Sequence, residues 1–211
     1  MSGPQTMVIV PTYNERDNLP PLIDGLLQHP DVRVLVVDDQ SPDGTGEVAD
    51  ALARRHPARV QVMHRTGRRG LGRSYVDGIK RAIHEPVDLI CQMDADFSHD
   101  PARLPALIAA AVDTPGARGA DVVIGSRYVP GGAIVNWPVR RLLLSRFANV
   151  YVRLITRLLP RDCTSGFRCW RRETLASLPL DHFLSDGYSF IVEMLYAAST
   201  RGARIAEVPI T

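Results

Sequence analysis

Short apolar strands, each closed by a polar turn and followed by an amphipathic helix, recur from Thr6 to Ala82, and this alternation constrains the fold more than any other feature. Thr6 to Pro11 reads as a β-branched strand, Thr12 to Glu15 as its turn, and Leu19, Leu22, Ile23, Leu26 and Leu27 as the buried face of a helix. Val32 to Val37 repeats the strand, an acid-rich turn runs from Asp38 to Gly44, and Thr45 is placed to cap a helix reaching about His56. A third strand, Val60 to Met63, leads through a glycine- and arginine-rich loop to a helix carrying Tyr75, Ile79 and Ala82. Such alternation predicts one α/β domain over residues 1–211, with a mainly parallel sheet flanked by helices.

The fourth strand carries the chemistry. Leu89-Ile-Cys-Gln-Met ends in Asp94-Ala95-Asp96, with Asp100 close behind. In an open α/β sheet the carboxyl ends of the strands face the ligand crevice. Carboxylates crowded there repel one another unless a cation lies between them, and oxygen ligands suit a hard ion, Mg²⁺ or Mn²⁺. The plainer reading is a polar turn in which Asp100 caps the helix opened by Pro101. Gly67, Gly70 and Gly72 precede a helix among arginines and offer backbone N–H groups to a phosphate or sugar, but their spacing is not the dinucleotide G-x-G-x-x-G. A mobile basic loop without catalytic role fits them equally.

A helix from about Pro101 to Val112 and a strand from Asp121 to Ser126 follow, and Arg127 leaves that strand where it would end beside the fourth, facing an anion. From Pro138 to Leu159 the period becomes helical. Leu143, Phe147, Val150, Tyr151, Leu154 and Leu158 share a broad apolar face, and Arg146, Asn149, Arg153 and Arg157 line the other. Packing of that apolar face on the sheet is the ordinary expectation, and a helix lying in a membrane interface is the alternative. In Thr164 to Trp170, Gly166 is read as permitting an unusual backbone angle. Asp186 and Glu193 are read as a cap and a helix-surface acid, and Arg204 to Pro209 as the last strand.

A formal net charge of +2 argues against a nucleic-acid partner, while the run of Arg140, Arg141, Arg146, Arg153, Arg157 and Arg161 points to a local anionic one. Cys91, Cys163 and Cys169 form no metal-ligand spacing and cannot all pair, which fits a reducing compartment. There is no signal peptide and no apolar run of about 18 residues, so any work at a membrane is expected from its surface or through a partner.

Taken together, Val10-Pro-Thr-Tyr-Asn-Glu15, Val37-Asp-Asp-Gln-Ser-Pro-Asp-Gly-Thr45, Gly70-Leu-Gly72, Met93 to Pro101, Gly125-Ser-Arg-Tyr128 and Thr164-Ser-Gly-Phe-Arg168 resemble the polyprenol-phosphate mannose synthases, or dolichyl-phosphate mannosyltransferases, of glycosyltransferase family 2. The resemblance implies a GT-A fold and inverting transfer of mannose from GDP-mannose to a polyprenyl monophosphate at the cytoplasmic face of a membrane. It places Pro11, Tyr13 and Glu15 at the nucleotide, Val37 and Asp39 beside guanine and ribose, Asp94, Ala95 and Asp96 at the aspartate-X-aspartate positions, and Arg127 at a donor or acceptor phosphate. Asp96 is the surest metal ligand by this resemblance, and Ser98 stands where many relatives have a glutamine ligand, its shorter hydroxyl leaving room for water. Relatives continue into an F-x-x-R-x-x-G-x-S-K segment that engages the donor, which has no counterpart up to Thr211. Many also carry transmembrane helices, a small membrane-anchoring subunit or a fused membrane domain.

In such a transfer a metal neutralises the departing diphosphate and the acceptor phosphate is already ionised, so no strong protein base is needed. His64 and His99 are accordingly expected to be structural or peripheral. The competing readings are a polyprenyl-phosphate glucosyltransferase using a UDP-sugar, a metal-dependent nucleotidyltransferase, and a non-catalytic sugar-nucleotide-binding subunit.

Overall fold

The computed structural model describes residues 3–135, 137–183, 185 and 187–211. Seven strands, β1 (Thr6–Thr12), β2 (Val32–Asp38), β3 (Val60–His64), β4 (Leu89–Gln92), β5 (Val122–Ser126), β6 (Arg168–Arg171) and β7 (Ile205–Pro209), form one sheet in the order β3-β2-β1-β4-β6-β5-β7. Pairings β3-β2, β2-β1, β1-β4 and β5-β7 are parallel. β6 runs antiparallel to both β4 and β5. The mainly parallel sheet is as expected, but β6 is new: the Thr164 to Trp170 stretch supplies a strand that separates β4 from β5. Arg127 therefore does not end next to the fourth strand; it leaves β5, two strands away.

Alternate residues of each central strand enter different cores, the pattern of a sheet covered on both faces. Val8, Val10, Val34 and Val36 pack with α1 (Leu19–Leu26), α2 (Thr45–Arg55) and α4 (Leu104–Ala111). Met7, Ile9, Leu35 and Val37 pack with α3 (Leu71–Ala82) and, through Phe190, Ile191, Met194 and Leu195, with α7 (Tyr188–Ser199). α3 lies close because Gly78 faces the sheet: a Cβ there would meet Ile9 Cγ2 at 2.8 Å and Val37 Cγ2 at 3.0 Å. The connection from β6 contains the short α6 (Arg172–Ala176).

Local expectations at helix starts divide. Asp100 does cap, its side chain accepting the Ala102 N–H at 2.9 Å ahead of a 3₁₀ turn and α4. Thr45 does not cap α2; Gly44, at φ 90°, occupies the capping position. The Thr45 hydroxyl instead donates to Asp43 at 2.6 Å and accepts the Glu15 N–H at 2.9 Å, tying the β1 and β2 turns together. Glu193 is half-buried and accepts the Ser185 N–H at 3.3 Å, so it is not a plain surface acid. Asp186 lies outside the described residues.

The largest departure is α5 (Val139–Thr156). Leu143, Phe147, Val150, Tyr151 and Leu154 do share a face, but it points away from the protein, with exposures from 54% to 75%. Only Leu158, beyond the helix, is buried from the expected set. The inward side centres on Asn149, which is 4% exposed, with half-buried Leu142, Ser145, Ala148, Val152 and Thr156 around it. Among the described residues no helix is long and apolar enough to cross a membrane.

Candidate active site

The carboxyl ends of β2, β1 and β4 lie side by side, and the turns leaving them build the site. The β1 and β2 turns are cross-braced: Asn14 N–H donates to Ser41 Oγ at 3.1 Å and Asp39 N–H to Thr12 O at 2.9 Å. Asp39 is nearly buried and uses both oxygens on the third turn, pairing with Arg65 and accepting the Gly70 N–H at 2.8 Å. Arg65 also pairs with Asp77 at 2.7 Å. The glycine loop thus meets the protein's own carboxylate at Gly70. Arg69 donates to Tyr13 Oη at 3.0 Å and sits 4.9 Å from the centre of its ring, leaving a half-exposed, cation-backed phenol at the rim.

The residues expected at the nucleotide divide on this geometry. Tyr13, Glu15 and Asp39 stand in the turns; Pro11 is buried within β1. The Val37 side chain is fully buried on the α3 side of the sheet, so only its backbone stays near the crevice.

Past β4, Met93 and Ala95 enter the core while Asp94 and Asp96 do not. Asp94 Oδ1 accepts the Tyr75 hydroxyl at 2.8 Å, and its backbone N–H donates to His99 Nδ1 at 3.2 Å. An N–H donor can meet only a ring lone pair, so His99 is neutral, with its proton on Nε2. Burial of the ring lowers its pKa in the same sense. Burial and the neighbouring Asp94 push the Tyr75 phenol well above its ordinary pKa, so it remains a donor. Phe97, at φ 57°, turns the chain so that Ser98 N–H reaches Asp96 Oδ1 at 2.9 Å. Burial acts to raise the Asp96 pKa, but the hydrogen bonds from the Ser98 hydroxyl and N–H outweigh it and hold the carboxyl below its usual range.

Asp94 and Asp96 are therefore oxygen donors of the type a hard divalent cation takes. Among the described residues no group of three or more His, Cys, Asp or Glu side chains is arranged for a metal. Two carboxylates could supply such a cation with part of its oxygen shell, while the Ser98 hydroxyl is turned to Asp96 rather than left free as a ligand.

Arg127 closes the other side. Its guanidinium donates to Ser98 O at 2.6 Å and its N–H to Asp162 Oδ2 at 3.1 Å. Trp137 lies between two cations, 5.4 Å from Arg127 and 4.1 Å from Arg141. A cavity of about 300 Å³ runs from Asp94, His99 and Arg127 to Arg141 and Leu144 on α5, and Gly166 lines it as well. Gly166 has no left-handed angle, contrary to expectation; it is needed for space, because a Cβ would lie 3.2 Å from Asp94 Oδ2 and 3.4 Å from His99 Cε1. His99, expected to be structural or peripheral, is structural. It is 2% exposed, stacked on Phe167 at 5.3 Å, and sits under Asp94. His64, paired with Asp50 at 2.9 Å, is peripheral as expected. Tyr75, Asp162 and Trp137 carried no local signal; the first acts from a helix over a sequence gap that only the fold closes.

A model of glycosyl transferase family 2 matches residues 7–178. The chain belongs to glycosyltransferase family 2. Among curated family members it is 49% identical over 209 residues to a polyprenol monophosphomannose synthase of Mycolicibacterium smegmatis, covering 98% of this chain and 77% of that one. It is 44% identical over 208 residues to an undecaprenyl-phosphate mannosyltransferase of Micrococcus luteus, covering 98% and 83%. The GT-A fold of the family is evident in the solved structures it resembles. Glucosyl-3-phosphoglycerate synthase of Mycobacterium tuberculosis, crystallised with Mn²⁺, UDP and phosphoglyceric acid, superposes with a TM-score of 0.68 at 22% identity, covering 98% of this chain and 69% of that one. A mannosyltransferase of Pyrobaculum calidifontis, in complex with GDP-Man and Mn²⁺, gives 0.62 at 21% identity, covering 98% and 55%.

Proposed function

We propose that this glycosyltransferase moves mannose, with inversion, from GDP-mannose to a polyprenyl monophosphate at the surface of a membrane. The observation that carries the reading is the cavity that starts at Asp94 and Arg127 and ends at Arg141 and Leu144, where α5 turns its large apolar side chains outward. Two relatives named for polyprenyl-phosphate mannosylation, at 49% and 44% identity, support it.

The donor lies over the turns after β1 and β2, with Asp39 and Tyr13 toward the nucleoside. Asp94 and Asp96 hold a divalent ion, Mg²⁺ or Mn²⁺, which when bound offsets the charge of the departing diphosphate. Tyr75 and Ser98 fix the two carboxylates by donating to them. Arg127, anchored on Ser98 O, presents positive charge beside Asp94 at the head of the cavity, where the anionic acceptor enters. That phosphate is its own nucleophile, so the neutral, buried His99 has no proton to take. The apolar outer face of α5 and its flanking Arg146 and Arg153 seat the enzyme on anionic lipid from the surface. Free, buried Cys91, Cys163 and Cys169 accord with the reducing, cytoplasmic side.

The test is a single assay that follows GDP, pyrophosphate and lipid-linked mannose together, in the parent and in Asp96→Ala. Mannosyl lipid and GDP in equal amounts, lost in the folded variant and on chelation, are expected. Pyrophosphate as product makes the protein a nucleotidyltransferase, transfer from a UDP-sugar instead makes it a glucosyltransferase, and donor binding without product makes it a binding subunit.

A further inference from the structure

The cavity described above has two walls of different origin. One is α5, through Arg141, Leu144, Ser145 and Ala148; the other is the segment before β6, from Asp162 to Gly166. The second wall is built into the protein. The fully buried Arg168 donates to the carbonyls of Cys163 at 2.7 Å, Ser165 at 2.9 Å and Ile191 at 2.6 Å. Burial lowers its pKa to about 10, so it remains a cation at neutral pH. The first wall is held at fewer points: its large side chains leave it for solvent, Val152 packs partly on the core, Tyr128 Oη donates to Ser145 Oγ at 2.8 Å, and Asn149 is its buried residue.

Asn149 joins the two. Its Oδ1 accepts the Cys163 N–H at 2.7 Å, and its Nδ2 donates to Thr164 Oγ1 at 3.1 Å and to Ser145 O within α5 at 3.1 Å. The amide orientation follows from chemistry, because the Cys163 N–H requires an acceptor. Three residues on from Cys163, Gly166 sits against the Asp94 carboxylate. A fully satisfied amide between a lipid-facing helix and the segment beneath Asp94 transmits the helix position to the site, since breaking it leaves buried donors and acceptors unpaired.

We infer that Asn149 is a positioning residue that couples seating of α5 on lipid to the width and order of the acceptor cavity. This rests on the reading of α5 as the lipid face. Apolar insertion fixes the outer side of the helix, and Asn149 passes that constraint to Cys163, Thr164 and Gly166. Acceptor binding then depends on the residue, while donor binding does not.

The test is hydrogen exchange of the full chain with and without vesicles of phosphatidylcholine and phosphatidylglycerol. In the parent, vesicles are expected to slow exchange both in α5 and in Cys163 to Phe167; in Asn149→Ala, in α5 alone. Protection confined to α5 in the parent, or protection of both segments in the variant, overturns the coupling while sparing the lipid-face reading. Protection of neither in the parent overturns both. The parent arm needs no variant, so a poorly folding Asn149→Ala does not disarm the test. Kinetically, Asn149→Ala is expected to raise KM for polyprenyl phosphate about tenfold, the size of one lost buried hydrogen bond, with donor KM unchanged. An equal rise in both, with a lowered melting midpoint, marks a merely structural residue and rejects the proposal.

Discussion

Tyr75 donates its hydroxyl to Asp94 Oδ1 at 2.8 Å, linking the fully buried face of α3 to the carboxylate at the sheet edge. Because burial and Asp94 hold the phenol well above its ordinary pKa, the donor persists throughout the working pH range. Tyr75→Phe preserves the ring and removes the bond. We expect about 1 kcal/mol of lost stability, and a divalent-ion titration of activity whose midpoint moves to higher concentration. An unmoved midpoint would show that Asp94 needs no help from Tyr75.

Asp39 is placed to separate a fold contribution from a binding one. Asp39→Ala leaves Arg65 with Asp77 at 2.7 Å as its remaining carboxylate partner, so the cost is expected below that of a fully orphaned buried charge, about 2 to 3 kcal/mol. Asp39→Asn, which keeps one acceptor, should cost less. Both should weaken GDP-mannose binding, by about 1 to 3 kcal/mol if a donor group is left unpaired. Denaturant unfolding measures the first effect and calorimetry the second; equal donor affinity in both variants contradicts a role at the ribose or base.

Gly166→Ala tests space rather than angle. The added methyl would stand 3.2 Å from Asp94 Oδ2 and 3.5 Å from Ile191 Cδ1, so the carboxylate or its neighbours must shift. Stability should fall by no more than about 1 to 2 kcal/mol, whereas turnover should fall by about one to two orders of magnitude because the carboxylate that holds the metal, and with it the diphosphate, is displaced. Unaltered turnover would place Asp94 outside the chemistry.

The outer face of α5 makes the opposite prediction. Phe147 and Leu154 are 66% and 75% exposed, so the double substitution to Ser should change unfolding by within about 0.5 kcal/mol per site. A core helix would lose about 2 to 5 kcal/mol at each. Association with anionic vesicles should drop in the same variant. Replacing Arg146, Arg153 and Arg157 with Gln should remove the salt-sensitive part of that association and raise KM for the lipid acceptor. Vesicle binding and acceptor KM equal to the parent's would end the membrane reading.

The amino-acid sequence by itself determined the β1 to β4 strands, the helices between them and the delivery of Asp94 and Asp96 to a sheet edge. The reason is local: period-2 and period-3.6 burial patterns, and carboxylates terminating an apolar run, are written in consecutive residues. Tertiary structure decided the remainder. β6 is a four-residue strand whose pairing with β4 and β5 is long-range. The helical period of α5 showed that two faces exist but not which one turns inward; the amide of Asn149 could be buried because Cys163 and Thr164 meet it there. Likewise Tyr75, His99 and Gly166 converge on Asp94 from α3, the following turn and the segment before β6. Such partners satisfy one another only across the fold, so no local spacing announces them.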